Sequence, residues 1–226
     1  DTIGVFQIES PAQMQTLARL KPKNLQEMAW EVGAVRPGVG VNDGVSMLIR
    51  RHLGHESVTY DHPLERKALE RTLGVVLFQD QLAELARYVA GMSPAEGERM
   101  RRSLSRRDRD QQASVWRARF IAGAVDRGVS KEVANKIFGK FHNLYQFPEA
   151  HAFAFGVTAY QMSWLKHYYP LEFFVSLFNN QPMGFYSLET IKEDAVRHGI
   201  TVLRPNVNLS DANAIIENGA LRMGLT

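Results

Sequence analysis

The sequence lacks cysteine, a large net charge and any long apolar run. Without cysteine among its 226 residues, the chain has neither disulfide bonds nor thiolate ligands for a metal, which is typical of proteins in a reducing cytoplasm. Its 27 lysines and arginines against 24 acidic residues leave a formal charge of only +3, so its cations attract polyanions only where they cluster. No segment reads as a membrane-spanning helix or a signal peptide. We therefore expect a cytoplasmic protein without membrane contact.

An initiating methionine is also missing. The chain starts at Asp1 and stops at Thr226, directly after a predicted strand. We expect it to be an excerpt from a longer protein, although 226 residues are enough for a well-buried core.

Helix signals dominate the first 180 residues. Ser10-Pro11-Ala12-Gln13 and Ser93-Pro94-Ala95-Glu96 each combine a capping residue, proline at the first helical position and a capping-box partner. Asn24 opens another helix. Apolar residues at helical spacing predict further helices over 44–53, 64–72, 79–91, 111–127, 131–145, 150–169 and 170–180.

The remaining residues have a different pattern. A helix over about 188–198 precedes a short strand at 200–203, and Asn218-Gly219 between two apolar segments predicts a β-hairpin. The fold class is therefore mainly α. We expect a large helical body over residues 1–180 and a small C-terminal α/β segment over 181–226 that continues beyond the chain end.

The segment ERMRRSLSRRDRD, residues 98–110, concentrates six arginines between Arg99 and Arg109. If the helix from Pro94 continues through it, Met100 and Leu104 face a core and an arginine stripe faces away. The stripe would consist of Arg99, Arg102, Arg106 and Arg109. Guanidinium groups match phosphate oxygens bidentately, but a solvated face neutralised by Glu98, Asp108 and Asp110 explains the pattern about as well.

Two metal sites are weaker candidates. Asp108 and Asp110 have the spacing of a metal-binding carboxylate pair, but neighbouring arginines would compete for them and i,i+2 residues diverge on a helix. A zinc site around the predicted loop over residues 54–63 lacks a firm ligand motif. Its ligands would be His52, His55, Asp61 and His62.

The second signal is an aromatic helix within FPEAHAFAFGVTAYQMSWLKHYY, residues 147–169. Its apolar stripe predicts core packing for Phe153, Val157, Tyr160 and Trp164. His151 and Phe155 are i,i+4 neighbours near the helix start. There a flat ring can stack on a base or sugar, and the helix N-terminus favours phosphate.

Several segments together resemble the bacterial family-C DNA polymerases, which include the alpha subunit of DNA polymerase III. They occur in family order along nearly the whole chain. They are GVFQIES at 4–10, VRPG at 35–38, LGVVLFQDQL at 73–82, MRRSL at 100–104, FPEAHAFAFGVTAYQMSWLKHYYPLEFF at 147–174 and RPNVNLSD at 204–211. QPMGFYS at 181–187 and PEAHAFAF at 148–155 are most similar to the error-prone branch.

The resemblance implies that residues 1–180 are the helical fingers region of a DNA-directed DNA polymerase, a nucleotidyltransferase of DNA replication and repair, error-prone or translesion in type. The implied partners are an incoming dNTP, primer-template DNA, the palm of the same polymerase chain, and a sliding clamp contacted outside this chain. The implied cofactor, Mg²⁺, would be bound by palm aspartates that this chain does not contain. The fragment alone should therefore be inactive, with no catalytic or metal-binding residue of its own.

The resemblance also implies site residues. Arg101 and Arg102 match the paired arginines of the family's nucleotide-contacting helix, and His151 matches the residue placed near the incoming sugar. The implied nucleotide-binding set is Arg36, Arg101, Arg102, Arg106, His151 and Phe155. The implied DNA-binding set is Arg99, Arg107, Arg109 and Lys166.

Some positions depart from the family pattern. Val39 follows Gly38 where the family has proline, SRRDRD replaces a lysine-rich segment, and Leu144-Tyr145-Gln146-Phe147 replaces a glycine-containing one. The residues alone are equally compatible with a non-catalytic helical nucleic-acid-binding module, and a scaffold for an acidic protein partner is a third reading.

Overall fold

The computed structural model describes residues 2–35, 43–104, 109–142, 147–184 and 186–225. The chain forms two compact units, Gln15–Gly156 and the combination of Asp1–Met14 with Val157–Thr226. Within the described residues there are eleven α-helices and one three-stranded sheet, which confirms a mainly α fold with a small C-terminal α/β segment. The domain boundary at residues 180 and 181 stays a prediction.

The unit Gln15–Gly156 is built from helices. Helices α1 (Pro11–Leu20) and α9 (Glu149–Tyr168) each belong partly to it. The helices between them are α2 (Leu25–Ala34), α3 (Asp43–His52), α4 (Arg66–Leu69), α5 (Gln79–Ala90), α6 (Pro94–Leu104), α7 (Arg109–Asp126) and α8 (Lys131–Gly139).

Two predicted helices are shorter than expected. The predicted helix over 64–72 is regular only in α4 and tightens to 3₁₀ turns at Pro63–Glu65 and Glu70–Thr72. It ends there because Leu73 and Gly74 adopt left-handed backbone angles, with φ of 53° and 80°. Helix α8 likewise ends at Gly139, and a 3₁₀ turn, Lys140–His142, follows it.

Local side-chain caps start α1 and α6 as predicted. Ser10 Oγ accepts from the backbone N–H of Gln13, whose Oε1 accepts in return from the N–H of Ser10, both at 3.3 Å. In α6, Ser93 Oγ accepts from the N–H of Glu96 at 3.3 Å, and Glu96 Oε2 accepts from the N–H of Ser93 at 2.9 Å. Both capping boxes are confirmed, because they depend only on residues three apart.

Two apolar clusters hold this unit together. The first joins α5, α6, α7 and α8 around the rings of Phe120, Phe138 and Phe141, whose centroids lie 5.3–5.6 Å apart. The second joins α2, α3 and the start of α9 around Phe78, which is fully buried. Helix α2 approaches this ring so closely that a Cβ on Gly33 would lie 2.7 Å from it. These contacts fix the first turns of α5 and α9.

The other unit contains the C-terminal half of α9, then α10 (Pro170–Asn179), α11 (Leu188–Arg197) and a sheet of β1 (Val202–Leu203), β2 (Ile215–Glu217) and β3 (Ala220–Arg222). The strand order is β1-β3-β2, with β1 parallel and β2 antiparallel to β3. Asn218 and Gly219 have φ of 51° and 78°, the positive angles that a type I′ turn requires. The predicted hairpin is confirmed.

The core packing predicted for the aromatic stripe of α9 is wrong over its C-terminal part. Val157, Tyr160 and Trp164 are 37%, 60% and 42% exposed, whereas Phe153 is partly buried against the second cluster. Helical spacing shows which residues share a face, but not whether another element covers that face.

Among the described residues, no helix has the length and apolar composition needed to cross a membrane.

Candidate functional site

Helix α6 carries two neighbouring arginines that share one carboxylate. Arg101 donates through Nε and Nη2 to the two oxygens of Glu98, both at 2.8 Å, and Arg102 Nε donates to Glu98 Oε1 at 2.7 Å. The side chains of Arg101 and Arg102 are 18% and 69% exposed. Two guanidinium groups against one carboxylate leave this group with a net charge of +1.

The charges of this group are fixed across the physiological pH range. The hydrogen bond from Arg101, together with that from Arg102, lowers the pKa of Glu98 to about 2, although desolvation opposes the shift. The bond to Glu98 also raises the pKa of Arg101. Glu98 therefore stays ionised and Arg101 stays charged across that range.

The arginines point outward because the opposite face of α6 is buried. Met100 and Leu104 are 0% and 8% exposed, as predicted, while Arg99 and Arg102 are exposed. Glu98 neutralises the arginines in part, which agrees with a solvated helix face as well as with a phosphate site.

The roles of the remaining arginines of the predicted site stay predictions. Arg36, Arg106 and Arg107 lie outside the described residues, and Arg109 begins α7 without a described side chain. The predicted stripe of four arginines is thus untested beyond Arg99 and Arg102.

A chain of contacts links Arg101 to the start of the aromatic helix. Arg101 Nη1 donates to Gln79 Oε1 at 3.1 Å, and the backbone N–H of Gln79 donates to the carbonyl of Phe147 at 3.2 Å. Phe147 stacks on His151 with ring centroids 5.0 Å apart. The first turns of α5 and α9 therefore join the two predicted halves of the nucleotide site within one compact unit.

Buried Gln81 holds the first turn of α5 in place. Its Oε1 accepts from the N–H groups of Leu77 and Phe78 at 2.8 and 2.9 Å, and its Nε2 donates to the carbonyl of Ala68 at 3.0 Å. All of its polar atoms are thus satisfied inside the core, which is what a fully buried amide requires. Gln79, two residues earlier, is therefore presented from a rigid segment.

His151 and Phe155 form the predicted ring pair. Their centroids lie 4.2 Å apart in a T-shaped arrangement, and Phe147 also stacks on His151 at an interplanar angle of 24°. His151 is exposed and Phe155 is partly buried. The histidine ring is thus oriented by two aromatic neighbours and remains open to solvent.

The N-terminus of α9 already has an anionic partner. The backbone N–H of Glu149 donates to Asp80 Oδ2 at 2.7 Å. The carboxylate of Glu149 in turn accepts a bidentate pair of bonds from Arg71, both at 2.7 Å. Because a carboxylate caps this end, phosphate binding at the first N–H of α9 is disfavoured. The exposed arginines of α6 therefore remain the candidates for phosphate contact.

Lys166 does not fit the DNA contact that the resemblance implied. The residue is 5% exposed, and its Nζ donates to Asp194 Oδ2 and to the carbonyl of Ile3, both at 2.8 Å. Burial lowers its pKa, and the hydrogen bond to Asp194 offsets part of that shift. Since its ammonium group is committed inside the protein, we leave Lys166 out of the proposed site.

The zinc alternative gains no support, and two of its four candidate ligands have other partners. Asp61 pairs with Lys136 and Lys140 at 2.6 and 2.8 Å, and His62 Nδ1 accepts from the N–H of Leu64 at 3.3 Å. Among the described ranges, no three histidine or acidic side chains converge on a possible metal position. Asp108 lies outside those ranges, and the side chain of Asp110 is not described.

Sequence reasoning gave no role to Gln79, Asp80 or Phe147. All three lie in segments that carried the family resemblance, LGVVLFQDQL and FPEAH. The signal that could have found them is polarity at a helix start: two hydrogen-bonding side chains directly after the buried run VVLF. Their partners are distant in sequence, so local spacing could not identify them.

The known proteins that are similar to this chain are bacterial DNA polymerases. The family model described as "Bacterial DNA polymerase III alpha subunit finger domain" matches residues 1–128. The error-prone DNA polymerase of Corynebacterium glutamicum is 42% identical over 228 residues, which cover 100% of this chain and 22% of that protein. The error-prone DNA polymerase of Vibrio vulnificus strain CMCP6 is 43% identical over 214 residues, which cover 94% of this chain and 21% of that protein. The chain thus spans about a fifth of the length of these relatives.

Proposed function

Because the chain belongs to the finger-domain family of bacterial DNA polymerase III alpha subunits, we propose that it binds the incoming dNTP and primer-template DNA during template-directed DNA synthesis. The observation that carries the proposal is the sharing of the Glu98 carboxylate by Arg101 and Arg102. Since the similar proteins reported above are named error-prone DNA polymerases, we assign the parent protein to that branch and propose a role in translesion synthesis.

The arginine pair binds the triphosphate by exchanging partners. Glu98 lies at the surface, so water can solvate its carboxylate when the guanidinium groups turn to a ligand. A triphosphate carries more negative charge than one carboxylate and offers several oxygens to the two planar forks. Arg102 moves first, because its side chain is the more exposed of the two. Arg101 is anchored by Gln79 and sets the position of the pair.

The ring pair serves the other end of the nucleotide. His151, in contact with Phe147 and Phe155, presents an exposed flat ring near Gln79, to which Arg101 is bonded. We assign it to the incoming sugar, where its bulk excludes a ribose 2′-hydroxyl, and Phe155 supports it. Arg99, which is exposed on α6, binds the DNA backbone. Arg36, Arg106, Arg107 and Arg109 keep the roles that the resemblance implies.

The chemistry of phosphoryl transfer belongs to the rest of the polymerase. Two divalent ions held by clustered carboxylates stabilise the attacking and leaving oxygens of this reaction. The described residues of this chain provide no such cluster, so no step is assigned to a metal bound here. We propose that the palm holds Mg²⁺, that this chain alone does not extend primers, and that the parent protein works in the cytoplasm. A sliding clamp would bind elsewhere.

The arginine assignment is tested in the full-length polymerase with Arg102→Ala. Losing a charge-assisted phosphate contact costs about 1.5–3 kcal/mol, so the KM for dNTP should rise roughly 10- to 100-fold. Arg102→Lys should restore only part of the loss, because an ammonium group cannot reproduce the fork. Steady-state primer extension at varied dNTP measures both.

Arg66 supplies the matched control. It is 65% exposed and pairs with Glu70 at 2.7 Å, also four residues away, on another helix of the same unit. Arg66→Ala removes an exposed ion pair of the same kind and should leave the KM for dNTP unchanged. An Arg102→Ala enzyme that matched this control would show that the pair is only a solvated helix face.

The sugar assignment is tested with His151→Ala. If the ring fills the space of the 2′-hydroxyl, the variant should accept ribonucleotides more readily while its use of dNTP changes less. The ratio of the two kcat/KM values in single-nucleotide insertion measures this discrimination. An equal loss of both would make His151 a structural residue of the α9 start.

A further inference from the structure

The second half of α9 and Tyr169, which directly precedes α10, expose six large apolar side chains. Val157, Tyr160, Trp164, Leu165, Tyr168 and Tyr169 are between 37% and 61% exposed, and all lie in the unit that contains Val157–Thr226. Tyr160, Trp164 and Tyr168 are spaced four residues apart and form one stripe. We call this set of six residues the aromatic face. Single exposed apolar residues are common, but a contiguous group of this kind marks an interaction site.

The aromatic face is not an ordinary solvated helix surface, because α9 has no charged residue where one would be expected. Its sequence EAHAFAFGVTAYQMSWLKHY contains no Asp, Glu, Lys or Arg between Glu149 and Lys166. A helix facing water normally carries charges on its outer side, whereas a helix that is apolar all round is covered on all sides. The sequence of α9 therefore fits a helix with a second packing partner.

The rings of the aromatic face are held in place before any partner arrives. Trp164 lies 5.1 Å from Tyr168 and 5.5 Å from Tyr169, measured between ring centroids. Beneath them, Ala159 and Phe174 are fully buried, and Lys166 ties α9 to Asp194 of α11. Large aromatic side chains on a rigid support lose little conformational entropy on binding, which makes Tyr and Trp frequent in protein interfaces.

The charges around the aromatic face favour a protein partner over DNA. A DNA backbone needs lysines and arginines beside the stacked bases. Lys166 is the single lysine or arginine between residues 150 and 191, and it is buried in its pair with Asp194. Glu172, three residues after Tyr169, is exposed and negative. This segment therefore provides no exposed lysine or arginine for a phosphate, and its exposed rings suit an apolar protein surface.

We propose that the aromatic face is the docking surface for another part of the same polymerase chain, one that lies outside these 226 residues. The relatives are nearly five times as long as the segment that matches, so most of the parent polypeptide is available as a partner. Beyond the exposure and composition of the aromatic face, the proposal depends only on the family membership. It requires neither the α6 arginines nor nucleotide binding, so it stands or falls independently of the nucleotide site.

The test is photo-crosslinking in the full-length polymerase, without DNA or nucleotide. Tyr160 is replaced by p-benzoylphenylalanine, an aromatic residue of similar shape that bonds to nearby C–H groups on irradiation. Tyr168 receives the same replacement in a second variant, which keeps the test valid if one position disturbs folding. Val207, which is 83% exposed in the same unit, receives it as the control. Mass spectrometry identifies the crosslinked peptides, and a mixture of ¹⁵N-labelled and unlabelled protein separates bonds within one chain from bonds between copies.

We expect Tyr160→p-benzoylphenylalanine and Tyr168→p-benzoylphenylalanine to bond to the same region of their own chain, outside residues 1–226, at least tenfold more than the Val207 variant does. Four results would overturn the proposal: crosslinks confined to residues 1–226, crosslinks between labelled and unlabelled copies, crosslinks that form only after DNA is added, and yields no higher than at Val207.

Discussion

Glu98 and Asp194, in two different regions of the molecule, each pair with two basic side chains. In α6, Glu98 accepts hydrogen bonds from Arg101 and Arg102 at 2.8 and 2.7 Å. In the other unit, Asp194 of α11 accepts from Lys166 and Arg197 at 2.8 and 3.0 Å. Each carboxylate thus lies between two cations. Judged from charge alone, both groups are equally good anion sites.

Burial separates the two groups. The side chain of Glu98 is 38% exposed and that of Asp194 is 0% exposed. When a phosphate attracts the α6 arginines, water solvates the released Glu98. When a phosphate attracts Lys166, Asp194 stays behind as an unpaired charge in the interior, which is prohibitively costly. A basic cluster therefore serves an external anion only where its own counter-ion can return to water.

The largest expected effect on stability comes from removing the buried ion pair between Lys166 and Asp194. Lys166→Met removes the cation and leaves Asp194 buried with less compensation, so it should lower the local free energy of unfolding by about 3–5 kcal/mol. Hydrogen exchange of the α11 amides, followed by mass spectrometry in the full-length polymerase, measures this change.

Arg197→Met is the matched control for that prediction. Arg197 bonds to the same carboxylate, but its side chain is 57% exposed, so its loss should cost less than about 1 kcal/mol. If Lys166→Met lowered the local free energy of unfolding no more than Arg197→Met does, burial would not explain the difference between the two carboxylate groups.

Glu31 is a buried carboxyl with no cation beside it among the described residues. It is fully buried in α2, neither carboxylate oxygen has a hydrogen-bond partner among the described residues, and burial raises its pKa to about 8. The reference value is 4.5, so the folded state keeps a proton that the unfolded state loses. The contribution of Glu31 to stability is therefore fully present below about pH 4.5, falls as the pH rises to about 8, and stays level above that.

Glu31→Gln should remove this pH dependence. Between pH 5 and pH 8 the native protein should lose about 3 kcal/mol more than the variant, a value that follows from the two pKa values by proton linkage. Urea unfolding at several pH values measures the difference. Parallel pH profiles would mean that Glu31 finds a counter-ion, as Asp194 does.

A smaller effect is expected from removing the exposed counter-ion. Glu98→Gln keeps a hydrogen-bond acceptor but removes the charge that competes with phosphate for Arg101 and Arg102. Because exposed ion pairs contribute at most about 1 kcal/mol, dNTP binding should tighten by no more than roughly fivefold. Glu70→Gln, beside Arg66, should change nothing. Weaker dNTP binding in Glu98→Gln would mean that the carboxylate positions the arginines and does not compete with the ligand.

The features that could be predicted from the sequence depend on near neighbours. The capping boxes at Ser10 and Ser93 join residues three apart, and the hairpin follows from Asn218-Gly219. The buried side of α6 followed from the spacing of Met100 and Leu104. In each case the physical cause lies within one helical or β-turn.

The features that could not be predicted depend on distant partners. Lys166 is buried because Ile3 and Asp194 receive its ammonium group, and these residues are 163 and 28 positions away. The exposure of Tyr160 reflects the lack of a covering element within the described residues, which periodicity does not encode. The same limit applies to the candidate site. The resemblance assigned roles to Arg101 and His151, whereas their link through Gln79 could be seen only in the fold.

The most direct test of the central claim compares two dissociation constants of the Arg102→Ala polymerase. Single-turnover insertion at varied dNTP gives the constant for the nucleotide, and titration with primer-template DNA without nucleotide gives the constant for DNA. If the α6 arginines hold the triphosphate, the nucleotide constant should rise at least about tenfold while the DNA constant changes by less than about twofold. An unchanged nucleotide constant, or equal weakening of both, would contradict the account.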